Sequence, residues 1–309
     1  MGLVTLILSS IMIVISQKIF LKKKIIDIIN DRSSHASIAI RSGGIAIFST
    51  LFLISTSNYL IGNTVFDYSV LLPVGLMVVV GLYDDIYNVD FKLKFIFQII
   101  AAKMIIDNGL IIDNLHGFFG VFEVNRILAQ IITIFIIVAI INAVNFIDGI
   151  DGLAISIVSM FLILFEFIAL DQTPFNNLTI ILLISFVPLF YFNYRNKNKV
   201  FLGDSGSLLL GSLVSIYVLY ALSNEYIIKP RFDINKIIFV FSILSYPIID
   251  FTRIFFKRII DGGSPFLADK NHIHHKLLNY YNSHIVVVTI IISSSIIIFV
   301  LSQGFNFLN

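Results

Sequence analysis

The sequence predicts an all-α integral membrane protein, a polytopic bundle of about ten transmembrane helices, and three observations predict it. Hydrophobic residues make up 58% of the 309 residues and charged residues only 13%, with a mean hydropathy of +0.96. An ordinary soluble chain is about a quarter charged. Apolar runs recur at close to the ~20 residues that a helix needs to cross a bilayer, and they lack the alternation of ~10-residue barrel strands. Lys and Arg, finally, are distributed unequally between the two sides of those runs.

In order, the spans cover 3–21, 44–62, 68–83, 93–108, 127–145, 153–170, 177–192, 206–222, 236–256 and 285–302. The first runs into Lys22-Lys23-Lys24 and carries no small-residue cleavage pattern, so it reads as a retained span. The second follows Gly43 and stops at Gly62-Asn63, and the third ends at Asp84-Asp85. Lys92 precedes the fourth, Arg126 the fifth and Gly152 the sixth, while Arg195 follows the seventh. The eighth opens at Gly206, the ninth lies between Lys236 and Lys257, and the tenth follows His284. With this parity, 16 of the 21 basic residues fall on one side, and only Lys103, Arg126, Lys229, Arg231 and Lys236 on the other. Basic residues accumulate in cytoplasmic loops, so both termini are expected outside and the long loops 22–43 and 257–284 inside. No linker or low-complexity tract divides the chain, which reads as one domain over 1–309. The absence of cysteine excludes disulfides and thiolate chemistry, and the net charge of +2 calls for no nucleic-acid partner.

Four polar clusters sit at span ends, all on the basic side: Asp84-Asp85, the stretch from Asn142 to Gly152, Phe201 to Gly206, and His272 to His275. Carboxylates cost several kcal/mol inside hydrocarbon, so a chain that places them at one set of span ends is gathering them at one aqueous surface. Adjacent Asp84 and Asp85 repel and need a cation or proton between them; the plain alternative is a pair of solvated acids. Asn142 with Asn145, and Asp148 with Asp151, have the i, i+3 spacing that shares a helix face, and a capping turn needs only one such residue. Asp204, flanked by Gly203 and Gly206, reads either as a magnesium ligand or as a helix cap. The histidines lack a cysteine partner and lie near Arg258, Lys270 and Lys276, which favours anion binding over zinc. Lys103 and Glu166, inside spans but away from these clusters, read as a snorkelling residue or a mutual pair.

On these residues the chain resembles the polyprenyl-phosphate N-acetylhexosamine-1-phosphate transferases. The resemblance runs through Asp31 to His35, Arg41-Ser42-Gly43-Gly44, Gly81 to Gln98, Asn142 to Ala154, Phe201 to Gly206 and Asp269 to Leu277. The His-Ile-His-His pattern is similar to that of the branch using UDP-N-acetylglucosamine or related amino sugars. The resemblance implies a membrane phosphoglycosyl transferase at the cytoplasmic face of the bacterial inner membrane, with UDP-sugar and undecaprenyl phosphate as substrates and room for a homodimer. It implies Mg2+ as cofactor, with Mn2+ as a substitute, held by Asp204 and Asn145. Asp84 and Asp85 are implied beside the lipid phosphate with Lys94 neutralising it, and Asp148 and Asp151 at the nucleotide or the metal's waters. Arg41, Asn193, Arg258, His272, His274 and His275 are the implied substrate contacts, Asn193 by a match shifted one position.

A secondary transporter is the main alternative, and it calls for ionisable residues near mid-membrane and for broken helices. A scaffold has no need of ordered Asp and His motifs. A CDP-alcohol phosphatidyltransferase needs an arginine after Asp151-Gly152-Leu153-Ala154 that is missing here.

Overall fold

The computed structural model describes residues 1–25, 39–118, 120–223, 225–230, 235–263 and 271–304. The motif at 31–35, with Asp269, Lys270 and Arg231, lies outside the described residues. The described chain is helical: α1 (Gly2–Lys22), α2 (Gly43–Leu60), α3 (Leu71–Tyr87), α4 (Phe91–Asp107), α5 (Arg126–Ile147), α6 (Leu153–Ile168), α7 (Asn176–Tyr194), α8 (Gly203–Leu222), α9 (Lys236–Ile243), α10 (Ser245–Ile260), α11 (Ile273–Tyr281) and α12 (His284–Gly304). Several starts are set by side-chain caps, as when Asp90 accepts from Lys92 N, Asn125 from Leu128 N and Asn235 from Ile237 N. Among the described residues seven helices are long and apolar enough to cross a membrane, or eight if the α9–α10 pair is one span. The helix α6 is apolar but only 16 residues long, and α4 carries Lys92, Lys94, Lys103 and Asp107 in 17.

Two features depart from the expected plain spans. The stretch 236–256 breaks into α9 and α10 with an 80° bend. Pro247 stands in the first turn of α10, where a missing N–H is harmless to that helix but cannot continue the ladder of the one before. Two short strand pairs also form: β1 (Ala39–Ile40) parallel with β4 (Lys199–Val200), and β2 (Asn114–Phe118) antiparallel with β3 (Val121–Glu123). The first pair continues into Gly43 N to Phe201 O and Gly44 N to Leu202 O, both at 2.9 Å, so the chain entering α2 is fastened to the entry of α8.

The core is organised around α8, of which 94% is buried against 28% for α12. Lipid supplies no hydrophobic drive between helices, so close packing requires small residues at the contacts. Glycines supply them on three sides. A Cβ at Gly44 of α2 would stand 2.1 Å from Gly206 N, one at Gly81 of α3 would stand 2.4 Å from Asp204 O, and one at Gly211 would stand 2.7 Å from Ile141 Cα of α5. Backbone therefore meets backbone at the N-terminal end of α8, and the residues one turn beyond Gly81 are delivered to that end.

Candidate active site

Those residues are Asp84 and Asp85. The helix α3 runs a turn further than the sequence predicts and closes on Asn88 in the left-handed region, so both aspartates are helical. Asp85, with its side chain wholly buried, accepts from Asp204 N at 2.9 Å and Ser205 N at 3.0 Å. It thereby satisfies two of the open N–H groups of α8 and sits at the positive end of that helix. Gly203 at φ +73 leaves no room for a side chain there, since a Cβ would lie 2.8 Å from Asp85 Oδ2.

Asp84 accepts from Val89 N at 2.7 Å and from Lys94 Nζ at 2.9 Å. The same ammonium donates to Asp204 Oδ2 at 3.0 Å. Lys94 thus joins α3 to α8 from the first turn of α4. Arg41 Nη1 stands 3.9 Å from Asp85 on the other side. Asp148 follows the last residue of α5; burial pushes its carboxyl well above the usual carboxylate range, and the charges of Asp204 and Asp85 push the same way against Arg41. Asn145 donates to Ser207 Oγ at 2.7 Å, and Asn142 exchanges amide hydrogen bonds with Gln98. A small cleft opens beside this centre, lined by Phe91, Lys94, Phe95 and Gln98 of α4, Asn142, Asn145 and Phe146 of α5, and Leu208 of α8.

The histidines adjoin this centre through two contacts. Phe146 meets His272 edge-on at 5.7 Å and lies under the Arg258 guanidinium at 5.4 Å. Gly149, next to Asp148, packs on His274 and His275, where a Cβ would come within 2.4 Å and 3.0 Å of their Nε2 atoms. His274 is wholly buried and takes a hydrogen bond with Tyr246 Oη at 2.9 Å. Burial pushes its imidazole pKa well below the usual range, and neighbouring His275 and His272 add to that. His272 Nδ1 bonds Asp250 Oδ2 at 2.6 Å. The three histidines lie on or at the start of α11, inside what the sequence reads as a loop.

Of the predicted residues, Asp84, Asp85, Lys94, Asn145, Asp148, Asp204 and Arg41 come together, and His272, His274, His275 and Arg258 stand beside them. Asp151 and Asn193 are committed elsewhere. Asp148 and Asp151 do not share a helix face, because α5 ends at Ile147 and Gly152 takes φ +73, so both lie in the turn before α6. Asp151 forms an ion pair with Lys199, its N–H donates to His284 Nδ1 at 3.0 Å, and its carbonyl accepts from Tyr194 Oη at 3.0 Å. Asn193, buried, donates to Val200 O at 3.0 Å and so anchors β4. Lys103 pairs with Asp107 and not with Glu166, whose carboxylate takes hydrogen bonds from Thr173 and Thr179. Sequence reasoning passed over Asp250 and Arg253, although a charge inside the apolar run 236–256 is the signal that singled out Lys103 and Glu166.

The acidic centre is a set of hard oxygen donors around one fixed ammonium, which suits a phosphate ester or a dication that brings one. Known proteins with similar sequences concur. A probable undecaprenyl-phosphate N-acetylglucosaminyl 1-phosphate transferase of Bacillus subtilis is 30% identical over 289 residues, covering 91% of this chain and 77% of its own length. An undecaprenyl-phosphate alpha-N-acetylglucosaminyl 1-phosphate transferase of Salmonella typhi is 29% identical over 87% of this chain and 73% of its own. A decaprenyl-phosphate N-acetylglucosaminephosphotransferase of Mycobacterium leprae is 27% identical over 82% of this chain and 70% of its own. The model of glycosyl transferase family 4 matches residues 68–222, from the turn that opens α3 to the end of α8. Since that stretch holds both the aspartate pair and the helix the pair caps, and the relatives extend the match over most of the chain, the protein belongs to glycosyl transferase family 4.

Proposed function

We propose that this protein transfers N-acetylglucosamine-1-phosphate, or that of a related amino sugar, from its UDP-sugar to undecaprenyl phosphate at the cytoplasmic face of a bacterial inner membrane. The product would start lipid-linked assembly of a cell-envelope polysaccharide. The observation that carries the reading is the Asp84–Lys94–Asp204 bridge at the N-terminus of α8 beside a cleft lined by both polar and aromatic side chains. The names of the relatives support the chemistry, each acting on a prenyl phosphate and an N-acetylglucosamine phosphate.

In this reaction an oxygen of the lipid phosphate attacks the β-phosphorus of the UDP-sugar, the bond to the α-phosphate oxygen breaks, and UMP leaves. Phosphoryl transfer needs alignment and charge neutralisation more than covalent help. Lys94, which lines the cleft, would neutralise the incoming lipid phosphate, and Phe91, Phe95 and Leu208 beside it would take the first part of the prenyl tail. Asp85 keeps Asp204 in place by holding its backbone, so its own carboxylate is spent on structure. His272, His274, His275 and Arg258 would meet the donor diphosphate, and Phe146 supports Arg258 from below. A general base contributes little, because a phosphomonoester with a second pKa near 6 is already mostly dianionic at neutral pH.

The donor set fits magnesium: Asp84, Asp204, Asp148 and Asn145 offer hard oxygens, and the ammonium between Asp84 and Asp204 marks where their charge demands a cation. These residues would hold Mg2+, or Mn2+ in its place. The ion would neutralise the diphosphate and stabilise UMP as it leaves.

The transporter alternative gains one feature, the bent α9–α10 pair, but Asp250 and Arg253 in the middle of α10 are engaged with the histidine segment. The test is UMP release by purified protein supplied with undecaprenyl phosphate, magnesium and each of several UDP-N-acetylamino sugars. Lipid-dependent UMP from one donor supports the proposal and identifies the sugar. No release from any donor by folded protein contradicts it.

A further inference from the structure

A carboxylate wholly inside protein costs several kcal/mol unless its lone pairs are met by donors. Asp250 on α10 is 0% exposed, and it is met by three. His272 Nδ1 lies 2.6 Å from Oδ2, while Oδ1 accepts from Ile273 N at 2.9 Å and from the Arg253 guanidinium at 2.9 Å. Arg253 also donates to Asn271 O at 2.6 Å. Two charges on α10 therefore hold three consecutive residues, Asn271 to Ile273, at the point where the chain enters α11. An ionised carboxylate only accepts, so the His272 proton is fixed on Nδ1 and Nε2 is the nitrogen left to meet a ligand. The ring that this fixes touches Phe146 of the cleft at 5.7 Å and stacks on His274 at 5.3 Å.

Asp250, His272 and His274 also have ligand atoms within 4.8 Å of one another, the spacing of a metal group. The 2.6 Å separation of Oδ2 and Nδ1 is that of a hydrogen bond with the proton between them, which leaves a dication no place on that edge of the ring. Carboxylate behind imidazole is the arrangement that orients a histidine toward something else.

We propose that Asp250 is a positioning residue for the sugar nucleotide: through His272 Nδ1 and Ile273 N–H it aims His272 Nε2 at the donor diphosphate. This rests on the transferase reading above. Asp250 touches no substrate, so its effect should pass through His272 and fall on the donor alone.

The test combines steady-state UMP release with ¹⁵N spectra of the imidazoles, using wild type, Asp250→Asn, Asp250→Glu, His272→Gln and the Asp250→Asn/His272→Gln pair. Asp250→Asn is expected to raise KM for the UDP-sugar about 10-fold or more. Its KM for undecaprenyl phosphate should stay within about 2-fold, and the paired variant should be no worse than His272→Gln. Asp250→Glu, which keeps the charge, should recover most of the loss, and Asp250→Asn should lose the His272 Nδ1–H signal present in wild type. Equal changes in both KM values, or losses that multiply in the paired variant, overturn the proposal, as does one equivalent of bound metal released by Asp250→Asn. If Asp250→Asn does not fold, His272→Gln decides: a lipid KM that rises with the donor KM overturns the proposal. A wild-type protein that releases no UMP contradicts the transferase reading, and the ¹⁵N signals then judge the Asp250–His272 link by themselves: an Nδ1–H signal unchanged in Asp250→Asn overturns it.

Discussion

Lys94 has one ammonium and two aspartates to serve, at 2.9 Å and 3.0 Å, and this shared charge sets the character of the acidic centre. Removing either acid breaks the bridge and loosens the other. Asp84→Asn is expected to lose about 100-fold or more in UMP release, through position and charge. Because the lipid phosphate needs no proton removed, assay at pH 9 should not restore the activity, and substantial recovery there would mean that Asp84 is a base. Asp151 makes the opposite case. Its carboxylate closes a buried pair with Lys199, whose side chain is 10% exposed, and a lone buried lysine is costly. Asp151→Ala should cost about 3 kcal/mol in thermal or denaturant unfolding while the folded fraction keeps most of its UMP release. At this scale residue type alone pointed to Asp84, Asp85 and Asp204, and the structure brings the three together at the head of α8. The sequence misled where spacing stood in for conformation: Asp148 and Asp151 are three apart, yet α5 ends at Ile147, so both lie in the turn before α6, where Asp151 pairs with Lys199.

Among the elements, α8 positions the site because α2, α3 and α5 approach it at glycines. Gly81 and Gly75 lie on the same helix and should respond differently to the same change. A Cβ at Gly81 would meet α8 backbone at 2.4 Å, whereas one at Gly75 would meet only the tip of the Phe48 ring at 3.0 Å. Gly81→Ala is expected to destabilise by about 1–3 kcal/mol and to cut UMP release by displacing Asp84 and Asp85, with Gly75→Ala close to wild type in both. Equal effects would mean that α3 does not depend on that contact. The longer helices were readable because each is an apolar run with a polar stop, whereas α11, nine residues of mixed polarity, reads as loop. The break between α9 and α10 was signalled by Pro247, which a count of apolar residues ignores. The pairing of β1 with β4 was not readable, since two-residue strands carry no periodicity and their partners are about 160 residues apart.

At the scale of the whole molecule, the Lys and Arg count predicts an orientation for every span at once, with the acidic and histidine centres on the basic side. The chain has no native cysteine, so single cysteines report orientation without background. Asn63→Cys, past the end of α2, should react with an impermeant maleimide from outside intact cells. Tyr280→Cys, 78% exposed at the end of α11, should react only in inverted vesicles. The same side for both labels would overturn the topology. That the acid–lysine centre at the head of α8 transfers a sugar phosphate to a lipid phosphate is the proposal on which the rest depends. Its most direct test is UMP release from the preferred UDP-sugar, with and without undecaprenyl phosphate, by wild type, Asp204→Ala and Asp151→Ala at equal folded concentration. Release is expected to require the lipid, to disappear in Asp204→Ala and to persist in Asp151→Ala. Release that ignores the lipid, or that survives Asp204→Ala, would contradict the proposal.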